Sequence, residues 1–173
     1  PMPVKQLNHN FPLTSVWEFH HPKRKTDEDY PGILPPGIIR ACILRYSKEG
    51  DLVLDPFVGS GTTLLECKAL GRKAIGIDIN PVAIDITLRK IRGTNPSINA
   101  YVGDARELKN IREESIDLIV THPPYWNAVK YSKDINGDLS LCKTLPEYID
   151  SMRKAVQEFW RVLKFDKYCC VII

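Results

Sequence analysis

No two cysteines in this chain stand at Cys-x-x-Cys spacing, and the five present (Cys42, Cys67, Cys142, Cys169, Cys170) are odd in number. That pattern excludes a zinc ribbon and argues against a disulfide framework, so buried free thiols are expected. The four histidines (His9, His20, His21, His122) lack ligand spacing, and no metal is expected. Long apolar runs are missing too. The strongest, Cys169 to Ile173, is far too short to cross a bilayer. The N-terminus lacks the basic-then-apolar order of a secretory signal, which leaves a cytoplasmic location and no membrane partner as the expectation. Neither an internal repeat nor a low-complexity tract is present. Charge of one sign is scarce as well, since 24 Lys and Arg face 21 Asp and Glu for a net of +3. This balance permits a polyanionic partner without demanding one, and Lys23-Arg24-Lys25 is answered at once by Asp27-Glu28-Asp29.

What is present is ordinary for a globular protein: 173 residues, 43% hydrophobic and 26% charged, enough for one domain with a sizeable core. Residues 1–35 carry Pro12, Pro22, Pro31 and Pro35 and read as an irregular arm. Residues 36–173 read as the domain proper. A helix is expected from Pro36 to about Ser47, and a strand at Leu52–Leu54. A second helix is expected from about Thr62 to Leu70, then a strand at Ala74–Ile77 and a helix capped by Asn80 with Pro81 at its first position. Strands at Tyr101–Val102, Ile116–Val120 and Tyr168–Ile173 complete the count. The last helix opens on the capping box Thr144-Leu-Pro-Glu147, with Ile149, Met152, Val156, Phe159 and Leu163 as its expected buried face. Strands alternating with helices predict an α/β domain with a mostly parallel sheet, whose ligand sits beyond the carboxyl ends of the strands.

Residues after the strands bear this out as a pattern. Gly59-Ser60-Gly61 follows the first strand, and two glycines on a strand-to-helix turn allow either close approach to a ligand or an ordinary tight turn. Asp78 ends the second strand at the spacing where an acid grips ribose hydroxyls, although it could equally partner the Asn80 cap. Asp104, after the third strand, suits an adenine amino group or a plain turn. Thr121-His122-Pro123-Pro124-Tyr125-Trp126 follows the fourth. Two prolines remove two donors and stiffen the backbone, and the aromatic beyond them either stacks on a planar base or packs on a rigid turn.

Taken together, Asp55-Pro56-Phe57-Val58-Gly59-Ser60-Gly61-Thr62-Thr63 and the His122–Tyr125 loop resemble the amino-methylating DNA methyltransferases, which act on N4 of cytosine or N6 of adenine. The resemblance implies a Rossmann-like S-adenosylmethionine-dependent methyltransferase fold and S-adenosyl-L-methionine as cofactor. By that likeness Asp55, Pro56, Phe57, Gly59, Ser60, Gly61, Thr62 and Thr63 surround the methionine moiety. Asp78 takes the ribose, and Asp104 with Ala105 the adenine. Tyr30 and Pro31 flank the methionine end, and Ile79 and Thr121 complete the cofactor set. The Pro123 carbonyl and the His122 side chain then accept hydrogen bonds from the target amino group, Pro124 stiffens the loop, and Tyr125 stacks on a base flipped out of double-stranded DNA.

Three departures from the family pattern qualify what the likeness implies. His122 stands where the family has Asp, Asn or Ser, and the Thr121 and Tyr125-Trp126 flanks lean toward cytosine N4. Arg161-Val162-Leu163-Lys164 leads into Phe165-Asp166-Lys167 in place of Pro-Gly-Gly. The family sheet also runs on past a fifth strand to a DNA-reading region, so a sheet truncated there is expected, with recognition supplied in trans or by a homodimer. A restriction-modification setting follows from the likeness. RNA base methylation and a non-catalytic, cofactor-binding or partner-binding subunit remain as alternatives. A nicotinamide dehydrogenase is disfavoured, because its pyrophosphate calls for a three-glycine turn and Asp55 would repel it.

Overall fold

The structure, a computed structural model, describes residues 34–93, 97–126 and 128–173. The elements run α1 (Pro36–Tyr46), β1 (Leu52–Asp55), α2 (Thr62–Ala69), β2 (Lys73–Asp78), α3 (Pro81–Ile91) and β3 (Ile98–Val102). They continue with β4 (Ile116–Thr121), a 3₁₀ turn (Leu139–Leu141), α4 (Leu145–Val162) and β5 (Leu163–Val171). The strands form one sheet in the order β3-β2-β1-β4-β5, with every neighbouring pair parallel. The chain leaves β1 toward β2 on one side and returns to β4 on the other. That reversal opens a crevice above the carboxyl ends of β1 and β4.

Each face of the sheet carries its own core. Val53, Leu118 and Val120 point to the side packed by Ile43, Leu64 and Ile84 of the first three helices. Leu54 and Ile119, their neighbours in sequence, point to the side packed by Ala155, Phe159 and Val162 of α4. This alternation follows from the two-residue period of a strand. β4 is buried at all six positions, as expected of a central strand covered on both faces. Truncating Leu118, which is fully buried, would cost about 2–5 kcal/mol.

The helix starts follow local rules. The Asn80 side chain accepts from the Val82 amide at 2.9 Å, with Pro81 next to it. Thr144 Oγ1 accepts from the Glu147 amide at 3.3 Å. The return half of that capping box differs from its usual form, because the Glu147 carboxylate takes the Lys143 amide, at 2.9 Å. Gly61 precedes α2 at φ +85°, and a Cβ there would meet Thr87 at 2.9 Å. Both the dihedral and the close helix contact therefore require glycine.

Two expectations are corrected. The buried face of α4 is Ser151, Ala155, Phe159 and Val162, whereas Ile149 and Val156 are 46% and 50% exposed. Met152 is half-buried, and Leu163 lies outside α4, as the first residue of β5. Hydrophobic periodicity does not register small or polar residues such as Ala155 and Ser151 as a packing face. Among the cysteines only Cys67 is buried; Cys169 is exposed, and Cys42, Cys142 and Cys170 are intermediate, all of them free. Cys169 and Cys170 lie on β5, which among the described residues has a strand on one side only.

Among the described residues no helix is long and apolar enough to cross a membrane. The arm expected at 1–35 lies, apart from Leu34 and Pro35, outside the described residues. So do Tyr30 and Pro31.

Candidate active site

The ends of β1, β2 and β4, together with the loop after β3, line one cleft, its mouth open to solvent. Asp55 lies at its floor, 4% exposed. Thr63 Oγ1 donates to Asp55 Oδ2 at 2.6 Å, Thr121 Oγ1 donates to Oδ1 at 2.8 Å, and the Phe57 amide donates to Oδ1 at 3.1 Å. One carboxylate thus binds β1, the first turn of α2 and the end of β4. Burial pushes the Asp55 carboxyl up to about 6; the three donors oppose that rise and the nearby Asp78 charge adds to it.

Asp78 is built in the same way. Its Oδ2 accepts from the Gly59 amide and its Oδ1 from the Asn80 amide, both at 2.9 Å. Burial raises its carboxyl to about 6 against those two bonds, with the Asp138 charge contributing. The two readings left open for Asp78 are therefore compatible: it partners the Asn80 segment and also lines the cleft. A carboxylate offers about four lone-pair directions, so two amides leave room for a diol.

Asp104 lines the cleft but is already engaged. The Arg106 guanidinium donates to both of its oxygens, with its Nη2 at 2.6 Å, and the Arg106 amide adds a bond at 2.8 Å. Burial works against ionisation here, but the guanidinium outweighs it and holds the carboxyl below its usual range. Any ligand amine at Asp104 shares it with Arg106.

The residues expected to form the catalytic loop divide. His122 and Pro124 line the cleft. Pro123 is buried away from it, and Tyr125 stands beside the mouth, 38% exposed. His122 Nε2 and the Tyr125 hydroxyl are 2.7 Å apart, with their rings edge to face at 5.0 Å. Of the expected cofactor residues within the described chain, all but Gly61 reach the cleft. Gly61 instead serves the helix contact with Thr87.

Sequence reasoning missed the wall that packs against the carboxyl end of β2. Tyr131, Gly137, Asp138 and Leu139, from the segment after the His122–Tyr125 loop, form it. Asn80 Nδ2 holds the segment by donating to the Tyr131 carbonyl at 3.1 Å. Asp138 is buried, with its Oδ1 accepting from the Ser140 amide at 2.8 Å and from Ser140 Oγ at 2.7 Å. The Ser132 hydroxyl donates to Oδ2. Only the Asp-x-Ser turn pattern at 138–140 signalled this in the sequence.

A family profile described as DNA methylase matches residues 4–89. The type II methyltransferase M.HpaI of Haemophilus parainfluenzae is 44% identical over 80 residues, 45% of this chain and 26% of its own length. The chain belongs to the amino-methylating DNA methyltransferase family. Another family member, the DNA adenine methyltransferase YhdJ of Escherichia coli, is 40% identical over 91 residues, 51% of this chain and 31% of its length. A second profile, a methyltransferase domain, matches residues 53–133.

A tRNA (guanine(10)-N2)-dimethyltransferase of Methanothermobacter thermautotrophicus is 36% identical over 139 residues, 75% of this chain and 37% of that protein. The chain thus spans well under half the length of these relatives. Solved structures agree on the fold. The YcgJ protein of Bacillus subtilis superposes with a TM-score of 0.56 at 21% identity, over 79% of this chain and 48% of that one. The phosphoethanolamine N-methyltransferase 2 of Haemonchus contortus gives 0.58 at 17%, over 78% and 27%. These likenesses establish the S-adenosylmethionine-dependent methyltransferase fold for this family member.

Proposed function

We propose that this chain transfers a methyl group from S-adenosylmethionine to an exocyclic amino group of a DNA base, with cytosine N4 as the target. One observation carries the reading: the cofactor-type walls meet His122 and Pro124 in one cleft at the switch point of the sheet, with Tyr125 hydrogen-bonded to His122. The donor set fits the cofactor. Two buried carboxylates, Asp55 and Asp78, line a cleft for a ligand with a net positive charge, and no three-glycine turn invites a phosphate. Bound there, S-adenosylmethionine supplies an electrophilic methyl on a sulfonium.

The chain's own residues do the rest. Asp78 accepts from the ribose hydroxyls, while Asp55 holds the Gly59–Thr63 turn rigid around the methionine end. An exocyclic amine conjugated to a ring is a poor nucleophile because its lone pair is delocalised. The Pro123 carbonyl and the His122 imidazole, which exchanges its Tyr125 hydroxyl partner for the amine, draw the nitrogen toward tetrahedral geometry. Tyr125 stacks on the flipped base and aligns it. Alignment and fixed dipoles supply the acceleration.

The test incubates the chain with tritiated cofactor and unmethylated genomic DNA, total tRNA, or buffer. Label in DNA, recovered after digestion as N4-methylcytosine, supports the reading. N6-methyladenine would move the target base, and binding without transfer would leave a cofactor-binding subunit. Label in tRNA alone would favour the second reading, RNA base methylation, which the 36% identity over 139 residues to a tRNA guanine methyltransferase motivates.

A further inference from the structure

The Pro123-Pro124 pair has no amide hydrogens, so a loop built on it must be held from outside through its carbonyls and side chains. Residues 122–125 lie in no helix or strand. Two bonds from a single short stretch of chain reach the loop. The Tyr148 hydroxyl donates to the Pro124 carbonyl at 2.8 Å. Trp126 Nε1 donates to the Cys142 carbonyl at 3.1 Å. The stretch itself is locked, because the Lys143 amide donates to Glu147 Oε2 at 2.9 Å and the Tyr148 amide to the Thr144 carbonyl at 3.1 Å.

We infer that Tyr148 is a positioning residue for methyl transfer, tethering the Pro124 carbonyl so that the target base meets the loop in one geometry. The inference rests on the proposed function. Fixing the Pro124 carbonyl fixes the plane of the Pro124–Tyr125 peptide, and with it the direction in which the Tyr125 ring leaves the loop. Before the base enters, His122 holds the other end of that ring through the phenol, at 2.7 Å; once His122 turns to the amine, the Pro124 tether is what remains. Occupying the Pro124 carbonyl also leaves the amine to the Pro123 carbonyl. Tyr148 lines no part of the cleft, so cofactor affinity does not depend on it. Reaction geometry does.

The experiment compares the full chain with Y148F, which keeps the ring and removes the donor. Two readouts are used. Expected first is a shift or broadening of the Trp126 indole N–H resonance, assigned with W126F, while the Trp160 resonance stays in place. Expected second is a fall in kcat of roughly tenfold or more, with unchanged affinity for S-adenosylhomocysteine by calorimetry. A pocket-distorting, merely structural role would move the affinity as well. An unmoved Trp126 resonance, or an unchanged kcat, overturns the inference. Should Y148F fail to fold, W126F tests the second tether by the same kcat-against-affinity split, and an unchanged kcat there overturns the inference equally. If the unaltered chain labels neither DNA nor tRNA while Trp126 still moves in Y148F, the function reading fails and the tether stands.

Discussion

The Thr121 hydroxyl donates to Asp55 Oδ1 at 2.8 Å, so the two strands flanking the switch point share one buried carboxylate. Thr63 completes the join from α2 at 2.6 Å. The floor of the cleft is therefore a hydrogen-bonded knot between segments 66 residues apart in sequence.

Thr121→Val keeps the shape of the side chain and removes the donor. The largely buried Asp55 carboxylate loses one partner, a loss worth about 1–3 kcal/mol. Urea unfolding should give a lower midpoint at unchanged slope. An unchanged midpoint would mean that the carboxylate is satisfied without Thr121.

Asp78→Ala should weaken binding of S-adenosylhomocysteine by about 1–3 kcal/mol, the scale for a charged hydrogen-bond acceptor. The Gly59 amide, which donates to Asp78 Oδ2, loses its anchor at the same time. Calorimetry is the measurement. Equal affinity in the two proteins would remove Asp78 from the ribose.

Cofactor affinity should depend on pH near 6. Burial raises both the Asp55 and the Asp78 carboxyl to about 6, so in the free protein each still holds its proton below that pH. A cationic ligand favours the ionised forms and lowers both values on binding, so protons are released. Affinity is then full above about pH 6 and is lost as pH falls through it. In the folding equilibrium of the free chain the same raised values act in the opposite direction. The folded state binds more protons than the unfolded state between about pH 4 and 6, so these two groups cost stability as pH rises through that window. Calorimetry at pH 6 in two buffers of different ionisation enthalpy counts the released protons. Proton uptake, or no exchange, would contradict the assignment.

Tyr125→Ala should abolish most transfer while leaving cofactor affinity within about twofold, since base stacking is worth about 1–3 kcal/mol and Tyr125 stands outside the cofactor walls. Filter binding with labelled cofactor, run beside the transfer assay, separates the two. Affinity collapsing together with activity would make the loop structural.

Local chemistry by itself determined β1, β2 and β4, the caps at Asn80 and Thr144, and the Asp55–Thr63 string, because periodicity, turn glycines and capping residues act over a few positions; β3 and β5 begin earlier than expected, at Ile98 and Leu163. It also marked which strand ends carry the site, since a parallel sheet presents its carboxyl ends to one side. Only the tertiary structure decided which face of α4 meets the sheet. Ala155, Phe159 and Val162 make that contact, and the small Ala155 is not something a hydrophobic pattern singles out. Tertiary structure also brought Asp138 and Tyr131 to the cleft and Tyr148 to the Pro124 carbonyl. Those residues are serviceable loop and helix residues in sequence. Their roles arise from packing between segments far apart in the chain, where the partner of a polar group is set by what the fold brings within 3 Å, as Pro124 is brought to Tyr148 across 24 residues at 2.8 Å.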